Sequence, residues 1–367
     1  MSARQASPVT AMSAAARPAR PGTRPVAARH AFDTAALERW LAGELAGFSG
    51  PLEVAQFAGG QSNPTFLVST PAAEYVLRKK PPGELLATAH AIDREYRVLQ
   101  ALAASGVPVP TLRGWCEDAG VIGTPFYLMD YQAGRIFTDP LLPTFTPAER
   151  GAAYRDMGTT LARLHALDWR ALGLADYGRP ERFIERQLAR WSRQYEASRS
   201  DDVPAMERLG AWLAEHMPAD DHAAITHGDY RIGNLIYAED APRIVAVLDW
   251  ELSTIGHPLA DLAYNCMTYH LPAGHPISAG FVGVDLATQG IPSEDEYLAT
   301  YAAASGIDPR PHWRFYMVFS LYRTAAIQQG VYARALKGNA ASSTAEQFGE
   351  SYRMVAAVAE RLSRAPA

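Results

Sequence analysis

Apolar and polar positions follow two different spacings along the chain, and the change divides it into a strand-rich first part and a helical second part. Apolar residues at steps of three and four predict a helix from Leu37 to Leu45 and another over about 90–104. Five short runs are typical of strands: 52–58, 64–69, 74–79, 111–116 and 125–131. From Pro147 onward the helical pattern dominates. Strands with an inserted helix, followed by a helical body, predict an α+β chain of two lobes.

Two helix starts are marked by capping boxes. Thr146 and Glu149 have the required spacing, with Pro147 at the first helical position, and Ser293 and Glu296 repeat it. In such a box the Ser or Thr and the Glu each bond the backbone of the other residue, which satisfies two otherwise free N–H groups. The sequence therefore predicts a helix beginning directly after each of these cap residues.

Residues 1–30 are rich in Ala, Arg and Pro and show no hydrophobic period. We predict a disordered tail there, and the alternatives are a later start at Met12 or an Arg-rich organellar transit peptide. The rest divides into an N-terminal lobe over 31–131 and a helical C-terminal lobe over 132–367, with the junction near 130–134.

The body of the chain is acidic. The first thirty residues hold five arginines and no acid, so the rest carries 29 basic against 39 acidic residues. An acidic surface does not favour nucleic acid as a partner. Cys116 and Cys266 lie among apolar residues and suggest neither a disulfide framework nor a zinc site. No apolar stretch approaches the roughly 18 residues of a membrane span, so we expect a cytoplasmic protein without a membrane partner and leave its oligomeric state open.

The strongest candidate for chemistry is the segment 227–234, which has the sequence HGDYRIGN. Asp229 and Asn234 are five residues apart, the separation between the base and the metal-binding Asn in the kinase catalytic loop. Asp249 follows Asn234 by fifteen residues. A carboxylate, a carboxamide and a second carboxylate are thus available for one magnesium–nucleotide site.

The segment between Asn234 and Asp249 predicts a β-hairpin. Residues 235–237 and 244–248 are short apolar runs, and the polar turn between them contains Pro242. Antiparallel pairing brings the start of the first strand beside the end of the second. Asn234 and Asp249 can therefore converge on one cation. Two protein ligands suffice for Mg²⁺, because this ion usually keeps waters and phosphates in its shell.

These features resemble the aminoglycoside phosphotransferase and choline kinase superfamily, and more closely the phosphotransferase domains found fused to acyl-CoA dehydrogenases and their free-standing bacterial relatives. The similarity extends from Gly59 to Ser343. Besides HGDYRIGN, it is carried by residues 59–63 (GGQSN), 75–83 (YVLRKKPPG), 93–98 (DREYRV), 249–251 (DWE) through Asp261, and 330–334 (GVYAR). The resemblance implies a bilobal protein-kinase-like fold, ATP and Mg²⁺ as cofactors, and a small-molecule hydroxyl substrate.

Each of the three polar residues has a predicted role. Asp229 accepts or orients the proton of the substrate hydroxyl, and Asn234 and Asp249 hold Mg²⁺. The alternative is that Asp229 only forms a turn in a glycine-flanked loop and that Asn234 only caps it. Trp250 and Glu251 replace the Phe-Gly of protein kinases, which argues against an activation flip of that kind. Glu251 is a weaker candidate for a water-mediated metal contact.

His227 and Asp261 are expected to support the loop rather than to take part in chemistry. We expect His227 to hold the loop by hydrogen bonds, with Asp261 as a partner. Because Asp261 begins an apolar helical stretch, N-capping is its alternative role. The resemblance implies that Asp261 steadies the loop from below.

On the nucleotide side, Arg78 stands where protein kinases place a lysine. Strand alternation puts Arg78 on the opposite face from Lys79, the alternative cation. A guanidinium can bind phosphate oxygens bidentately, so Arg78 can take the phosphate-binding role of the lysine in protein kinases. Glu95 is the expected partner of Arg78, with an exposed helix carboxylate as the alternative. Ser62 and Asn63 are candidates for phosphate contact beside two glycines.

We expect adenine to meet backbone groups around Met129, Asp130 and Tyr131, where the two lobes join. The sequence contains no GxxxxGK[ST] motif, so we do not expect a Walker-type nucleotide site. The preference between ATP and GTP stays open.

The acceptor site is expected in the helical lobe. Six residues recur at helical spacing on one face: Tyr316, Ser320, Arg323, Ile327, Gly330 and Arg334. One interpretation is a structural salt bridge from these arginines to the acidic body. The other is a positive wall formed by Arg323 and Arg334 for an anionic acceptor.

The sequence therefore predicts a small-molecule kinase that transfers the γ-phosphoryl of ATP to a hydroxyl acceptor. An anionic hydroxy acid or hydroxyacyl-CoA is the favoured acceptor. An aminoglycoside phosphotransferase and a non-catalytic nucleotide-binding scaffold are the alternatives. A protein kinase is disfavoured because no Ala-Pro-Glu segment follows Asp249.

Overall fold

The computed structural model describes residues 22–58, 63–81, 92–336 and 345–365. Within these ranges a strand-rich N-terminal part is followed by a helical C-terminal part, so the predicted α+β class and two-lobed kinase-like architecture are confirmed. The residues between and outside these ranges include Ser62 of the predicted phosphate-contacting turn.

The N-terminal lobe is built on one antiparallel sheet. Its elements are β1 (Thr23–Arg24), α1 (Thr34–Glu44), β2 (Glu53–Phe57), β3 (Thr65–Ser69), β4 (Glu74–Lys79), α2 (Ile92–Leu102), β5 (Leu112–Cys116), α3 (Ala119–Ile122) and β6 (Phe126–Asp130). The six strands lie in the order β1-β2-β3-β4-β6-β5. In this register Arg78 of β4 lies opposite Tyr127 of β6. Strand alternation then gives the sheet one apolar face for α1 and a second face toward the other lobe.

The α1 side of the sheet forms a separate small core. Leu37 and Leu41 of α1 pack on Phe66, Leu77 and Leu128, and all five are fully buried or nearly so. Burial of each such side chain contributes about 1.5–3 kcal/mol relative to exposure. This core fixes the sheet independently of the larger helical core, so the opposite face of β4 and β6 is presented rigidly to the neighbouring lobe.

The prediction of a disordered tail is wrong for residues 22–30. Thr23 pairs with Phe57 at the sheet edge, and the backbone N of Ala27 donates to Gln56 Oε1 at 3.1 Å. Val26 packs against the small core. An edge strand bonds through its backbone, so it needs no hydrophobic period of its own. Residues 1–21 lie outside the described ranges.

The C-terminal lobe is mainly helical, with two short ribbons. Its elements are α4 (Pro147–His165), α5 (Phe183–Ala197), α6 (Pro204–Glu215), β7 (Ala224–Thr226), β8 (Leu235–Tyr237), β9 (Ile244–Val247), β10 (Thr254–Gly256), α7 (Pro258–Cys266), α8 (Leu286–Gln289), α9 (Glu294–Ser305), α10 (Trp313–Leu336) and α11 (Ala345–Ser363). Short 3₁₀ helices lie at Ala28–His30, Ile232–Asn234, Trp250–Leu252 and Met267–Tyr269. Both predicted capping boxes are present, at the starts of α4 and α9.

Helix α10 is the centre of this lobe, because α5, α7 and α11 pack around it and most of its residues are buried. β8 pairs with β9, and β7 pairs with β10. These ribbons carry the 227–234 loop and Asp249 on the side of the N-terminal lobe. Cys116 and Cys266 are buried, and both thiols are free. None of the helices in the described part of the chain is long and apolar enough to cross a membrane.

Candidate active site

The 227–234 loop connects β7 to β8 and begins with a tight backbone turn. Gly228 has a positive φ of 82°, and a Cβ atom there would lie 2.6 Å from the backbone oxygen of Leu252. Both the conformation and the close approach therefore require glycine at this position. The loop ends in the single 3₁₀ turn Ile232–Asn234, which leads directly into β8.

Helix α7 holds the start of the loop through Asp261. Backbone N of His227 donates to Asp261 Oδ2 at 2.7 Å, and backbone N of Gly228 donates to Oδ1 at 2.8 Å. The N-cap of α7 is His257, whose Nδ1 accepts from Leu259 N. The capping alternative for Asp261 is therefore wrong, and its expected contact with the loop is present.

Asp261 is fully enclosed by protein. Burial alone would raise the pKa of its carboxyl, but hydrogen bonds from His165 and from the His227 backbone outweigh burial and lower the pKa below its ordinary value. His165 Nε2 lies 3.4 Å from Asp261 Oδ2, and His165 Nδ1 bonds the Tyr301 hydroxyl at 2.8 Å. The ionised carboxylate thus accepts from the loop backbone while remaining buried in the lobe.

His227 links the loop to the ribbon that carries Asp249. Its Nδ1 accepts from Asp229 N at 3.2 Å, so we assign the proton to Nε2, which donates to Leu248 O at 2.8 Å. Leu248 N in turn donates to the backbone oxygen of Asn234 at 2.8 Å. His227 therefore has the supporting position that the sequence predicts.

Asp229 and Asn234 are brought into direct contact. Asn234 Nδ2 donates to Asp229 Oδ2 and to the Asp229 backbone oxygen, both at 2.9 Å. Two further donors reach this carboxylate: the Tyr264 hydroxyl at 2.5 Å from Oδ1, and Arg231 Nε at 3.3 Å from Oδ2. Sequence reasoning missed both. Tyr264 follows Asp261 by three residues on α7, and that same-face spacing is the signal that could have found it.

Asp249 lies at the end of the predicted hairpin. Leu235 pairs with Val247 in the ribbon of β8 and β9, which places Asn234 and Asp249 at the same end. The strand stops at Val247, however, and Asp249 follows in a left-handed conformation with φ 67° and ψ 62°. Such a conformation costs on the order of 1–3 kcal/mol for a residue other than glycine, and it concentrates at functional sites.

Arg78 and Glu95 form the expected pair, with Nη1 and Oε1 3.2 Å apart. Arg78 Nη2 also lies 3.5 Å from Asp249 Oδ1. Burial raises the pKa of the Glu95 carboxyl, and Arg78 acts in the opposite direction. Lys79, the alternative cation, points to the other face of the sheet, where its Nζ lies 5.3 Å from the centroid of Phe32.

A cavity of about 600 Å³ separates the lobes beside these groups. Arg78, Glu95 and Asp249 lie on its wall, and Met129, Asp130 and Tyr131 line it where the chain passes between lobes. Asp229 and Asn234 are not among its lining residues. The Asp130 carboxylate is engaged by Arg113, with distances of 2.6 and 2.7 Å. The carboxylate is therefore already paired, and the backbone N of Asp130 donates to Thr111 O at 2.8 Å.

Asn63 is the described member of the predicted phosphate-contacting turn. Its side chain is 1% exposed, and neither Oδ1 nor Nδ2 has a partner among the described residues. A buried amide without partners costs free energy unless something else satisfies it. Ser62 lies outside the described residues.

Arg323 and Arg334 of α10 are not brought together. Arg323 Nη2 donates to Gly228 O at 2.6 Å, and its guanidinium lies 5.5 and 5.1 Å from the ring centroids of Trp191 and Tyr264. Arg334 is exposed and eleven residues further on, about 16 Å along the helix. Neither arginine forms an ion pair with another residue of the described ranges.

Most of the chain matches one known protein family. Residues 53–319 match the model of the Phosphotransferase enzyme family. Acyl-CoA dehydrogenase family member 10 of Mus musculus is 48% identical over 331 residues, which are 90% of this chain and 31% of that protein. Acyl-CoA dehydrogenase family member 11 of Gallus gallus is 46% identical over 348 residues, 93% of this chain and 44% of that protein. The chain thus spans less than half the length of these relatives.

A solved structure from Ralstonia eutropha, provisionally named an aminoglycoside phosphotransferase, superposes with a TM-score of 0.84. It is 43% identical, and the match covers 91% of this chain and 99% of that one. The chain therefore belongs to the phosphotransferase enzyme family.

Proposed function

We propose that this chain transfers the γ-phosphoryl group of ATP to a hydroxyl of a small anionic acceptor, with Asp229 as the general base. One observation carries the proposal. Asp229 and Asn234 are in contact at 2.9 Å, and the ribbon that follows them ends at Asp249 on the wall of the interlobe cavity. The second carboxylate thus lies on the wall of a volume suited to a nucleotide, and the ribbon connects it to the proposed base and its carboxamide partner.

ATP is assigned to the cavity of about 600 Å³. Arg78 is the phosphate-binding cation, and Glu95 keeps its guanidinium in place from 3.2 Å. Asn63 and Ser62 contact the phosphates, and the unpartnered amide of Asn63 supports that role. Adenine meets the backbone around Met129, Asp130 and Tyr131.

Asn234 and Asp249 are the proposed ligands of Mg²⁺. Both offer hard oxygen atoms, the type that this ion prefers. The described residues contain no group of three or more His, Cys, Asp or Glu side chains arranged to hold a metal, so the protein supplies only part of a coordination shell. That suits an ion which completes its shell with water and substrate phosphates. When bound, Mg²⁺ supplies positive charge that offsets the charge of the phosphates.

The reaction then requires positioning more than covalent chemistry. The acceptor hydroxyl oxygen forms a bond to the γ-phosphorus as the bond to the β–γ bridging oxygen breaks, and ADP leaves with that electron pair. Asp229 accepts the hydroxyl proton. Asn234 fixes the carboxylate through Oδ2, and Asp261 and His227 fix the backbone on which it stands.

The acceptor is an anionic hydroxy compound, either a hydroxy acid or a hydroxyacyl-CoA. Arg323 supports this choice, because it is a cation near the loop without a carboxylate partner in the described chain, and its Nε has no partner there. Two relatives are named for acyl-CoA dehydrogenases, which supports an acyl-CoA among the candidates. Arg334 would contact only the distal part of a long acceptor.

The test is a transfer assay with γ-labelled ATP and Mg²⁺ over hydroxyacyl-CoAs, short hydroxy acids, neutral sugars and aminoglycosides. We expect label in an anionic hydroxy compound. Arg323→Gln should raise the KM for that acceptor roughly ten- to a hundredfold, the range for loss of a charged hydrogen bond. Arg361→Gln, an exposed arginine on α11, is the matched control and should leave KM unchanged. Transfer to aminoglycosides alone, or an unchanged KM in Arg323→Gln, would contradict the assigned acceptor class.

A further inference from the structure

The carboxylate of Asp229 accepts more hydrogen bonds than proton transfer requires. Asn234 Nδ2 donates to Oδ2 at 2.9 Å, and Arg231 Nε lies 3.3 Å from both Oδ1 and Oδ2. The Tyr264 hydroxyl donates to Oδ1 at 2.5 Å. A carboxylate offers about four lone-pair positions, so these three donors leave about one position open.

Tyr264 is held firmly in this arrangement. Burial, followed by the negative charge of Asp229, raises the pKa of its hydroxyl well above the ordinary value, so the group stays protonated and can only donate to the carboxylate. The guanidinium of Arg323 lies 5.1 Å from its ring centroid, within cation–π range. Arg323 also bonds Gly228 O, so one side chain fixes both the Tyr264 ring and the 227–234 loop.

Asp229 is nevertheless accessible to water, because its side chain is 19% exposed. Water is a competing acceptor in any phosphotransferase of this kind. In that side reaction the water oxygen bonds to the γ-phosphorus, the bond to the β–γ bridging oxygen breaks, ADP leaves with the electron pair, and a water proton passes to Asp229. The products are ADP and inorganic phosphate, and ATP is lost without transfer.

We infer that Tyr264 is a positioning residue that suppresses this hydrolysis. Its hydroxyl occupies one position on Asp229 Oδ1, so a single direction remains from which a hydroxyl can reach the base. A bound acceptor is held in that direction by its own contacts, whereas a lone water molecule is not. This inference rests on the proposed role of Asp229 as the base.

The test measures phosphate release from Mg-ATP alone, with water as the only acceptor. Tyr264→Phe removes the hydroxyl and keeps the ring, so water gains a second position on the carboxylate of Asp229. We expect the release rate to rise about two- to tenfold, the equivalent of one ordinary hydrogen bond. Tyr269→Phe is the matched control, because that hydroxyl donates to Pro292 O at 3.0 Å away from the loop, and its rate should equal the wild-type rate.

Binding of Mg-ADP and the melting temperature are measured on the same preparations, to show that each variant keeps a folded nucleotide site. Tyr264→Met, a second side chain without a hydroxyl, should also raise the rate. An unchanged or lower rate in folded Tyr264→Phe and Tyr264→Met would overturn the inference. Asp229→Asn tests the base assignment separately from the role of Tyr264. If it hydrolyses Mg-ATP at the wild-type rate, the base assignment itself fails. If it is inactive while the Tyr264 variants behave as wild type, only the role of Tyr264 fails.

Discussion

Arg78 and Glu95 face each other on the inner wall of the interlobe cavity, and both are removed from solvent. Their side chains are 11% and 2% exposed. Taking two charges out of water is unfavourable unless they are paired and hydrogen-bonded. The pair therefore acts as a unit: Glu95 holds the guanidinium of Arg78 in place, with Nη2 directed toward Asp249.

Arg78→Leu should lower the free energy of unfolding by about 3–5 kcal/mol, because it leaves the Glu95 carboxylate buried without its partner. Urea denaturation measures the change. The control is Arg310→Ala, which breaks an exposed pair with Asp308 and should cost at most about 1 kcal/mol. Equal losses in the two variants would show that the Arg78 pair has no special role in stability.

Some single-residue features follow from the sequence and others do not. Strand alternation separates Arg78 from Lys79 because the period of a strand is fixed by its backbone. The left-handed backbone of Asp249 is not encoded locally; it depends on the packing of Trp250 and on the ribbon before it. The bond between Tyr264 and Asp229 joins residues 35 positions apart, so it needs the tertiary fold.

At the scale of elements, the 227–234 loop is held from two sides. Helix α7 binds its first two backbone amides through Asp261, and the β8–β9 ribbon is tied to it through His227. The loop has little regular structure of its own, since only one 3₁₀ turn lies within it. Its geometry is therefore imposed by these neighbours, which suits a loop that must hold a base in one place.

Asp261→Asn should lower the free energy of unfolding at pH 7 by about 2–3 kcal/mol, since hydrogen bonds to a charged acceptor are the stronger kind. The pKa of Asp261 is lowered in the folded protein, so the unfolded chain binds the proton more tightly. The stabilisation is present above the unfolded pKa of about 3.9 and is lost as pH falls through the folded pKa. The difference between wild type and variant should therefore shrink between pH 7 and pH 3.

Denaturation of both proteins at the two pH values checks this prediction. Asp240→Asn, in the exposed turn of the β8–β9 ribbon, is the control and should change stability little at either pH. A difference between wild type and Asp261→Asn that stays constant with pH would contradict the ionised state assigned to Asp261.

Elements were predictable where their signals are local. The capping boxes at Thr146 and Ser293 and the strands β2 to β6 follow from neighbouring residues, and the structure has them. Strand β1 was missed because an edge strand is defined by its partner rather than by its own pattern. The hairpin of β8 and β9 was predicted, but its second strand ends at Val247, one residue before the end of the predicted run 244–248.

At the scale of the whole molecule, the proposed chemistry needs both lobes. The N-terminal lobe supplies Arg78 and Glu95, and the C-terminal lobe supplies Asp229 and Asp249. The lobes are joined near α2, where Arg94 Nη2 donates to Tyr177 O at 2.7 Å and the Tyr177 hydroxyl donates to Arg94 O at 3.2 Å. This contact fixes α2, and with it Glu95, against the C-terminal lobe.

The two-lobed fold was predictable because the order of motifs along the chain is itself specific. The residues proposed to contact the acceptor could not be predicted in the same way. Helical spacing placed Arg323 and Arg334 on one face of a helix, but it did not show what packs against each of them. In the structure Arg323 is packed against the loop, whereas Arg334 is exposed. The spacing of residues along a helix predicts which of them share a face. Only the tertiary packing shows which residues of that face lie near the 227–234 loop.

The most direct measurement is the turnover number for phosphoryl transfer in Asp229→Asn, with Mg-ATP affinity determined on the same preparation. Loss of a general base should lower kcat about a hundred- to ten-thousandfold, while Mg-ATP affinity stays at the wild-type value because Arg78 and Asp249, on the cavity wall, are untouched. A variant that transfers phosphate at the wild-type rate would contradict the central claim.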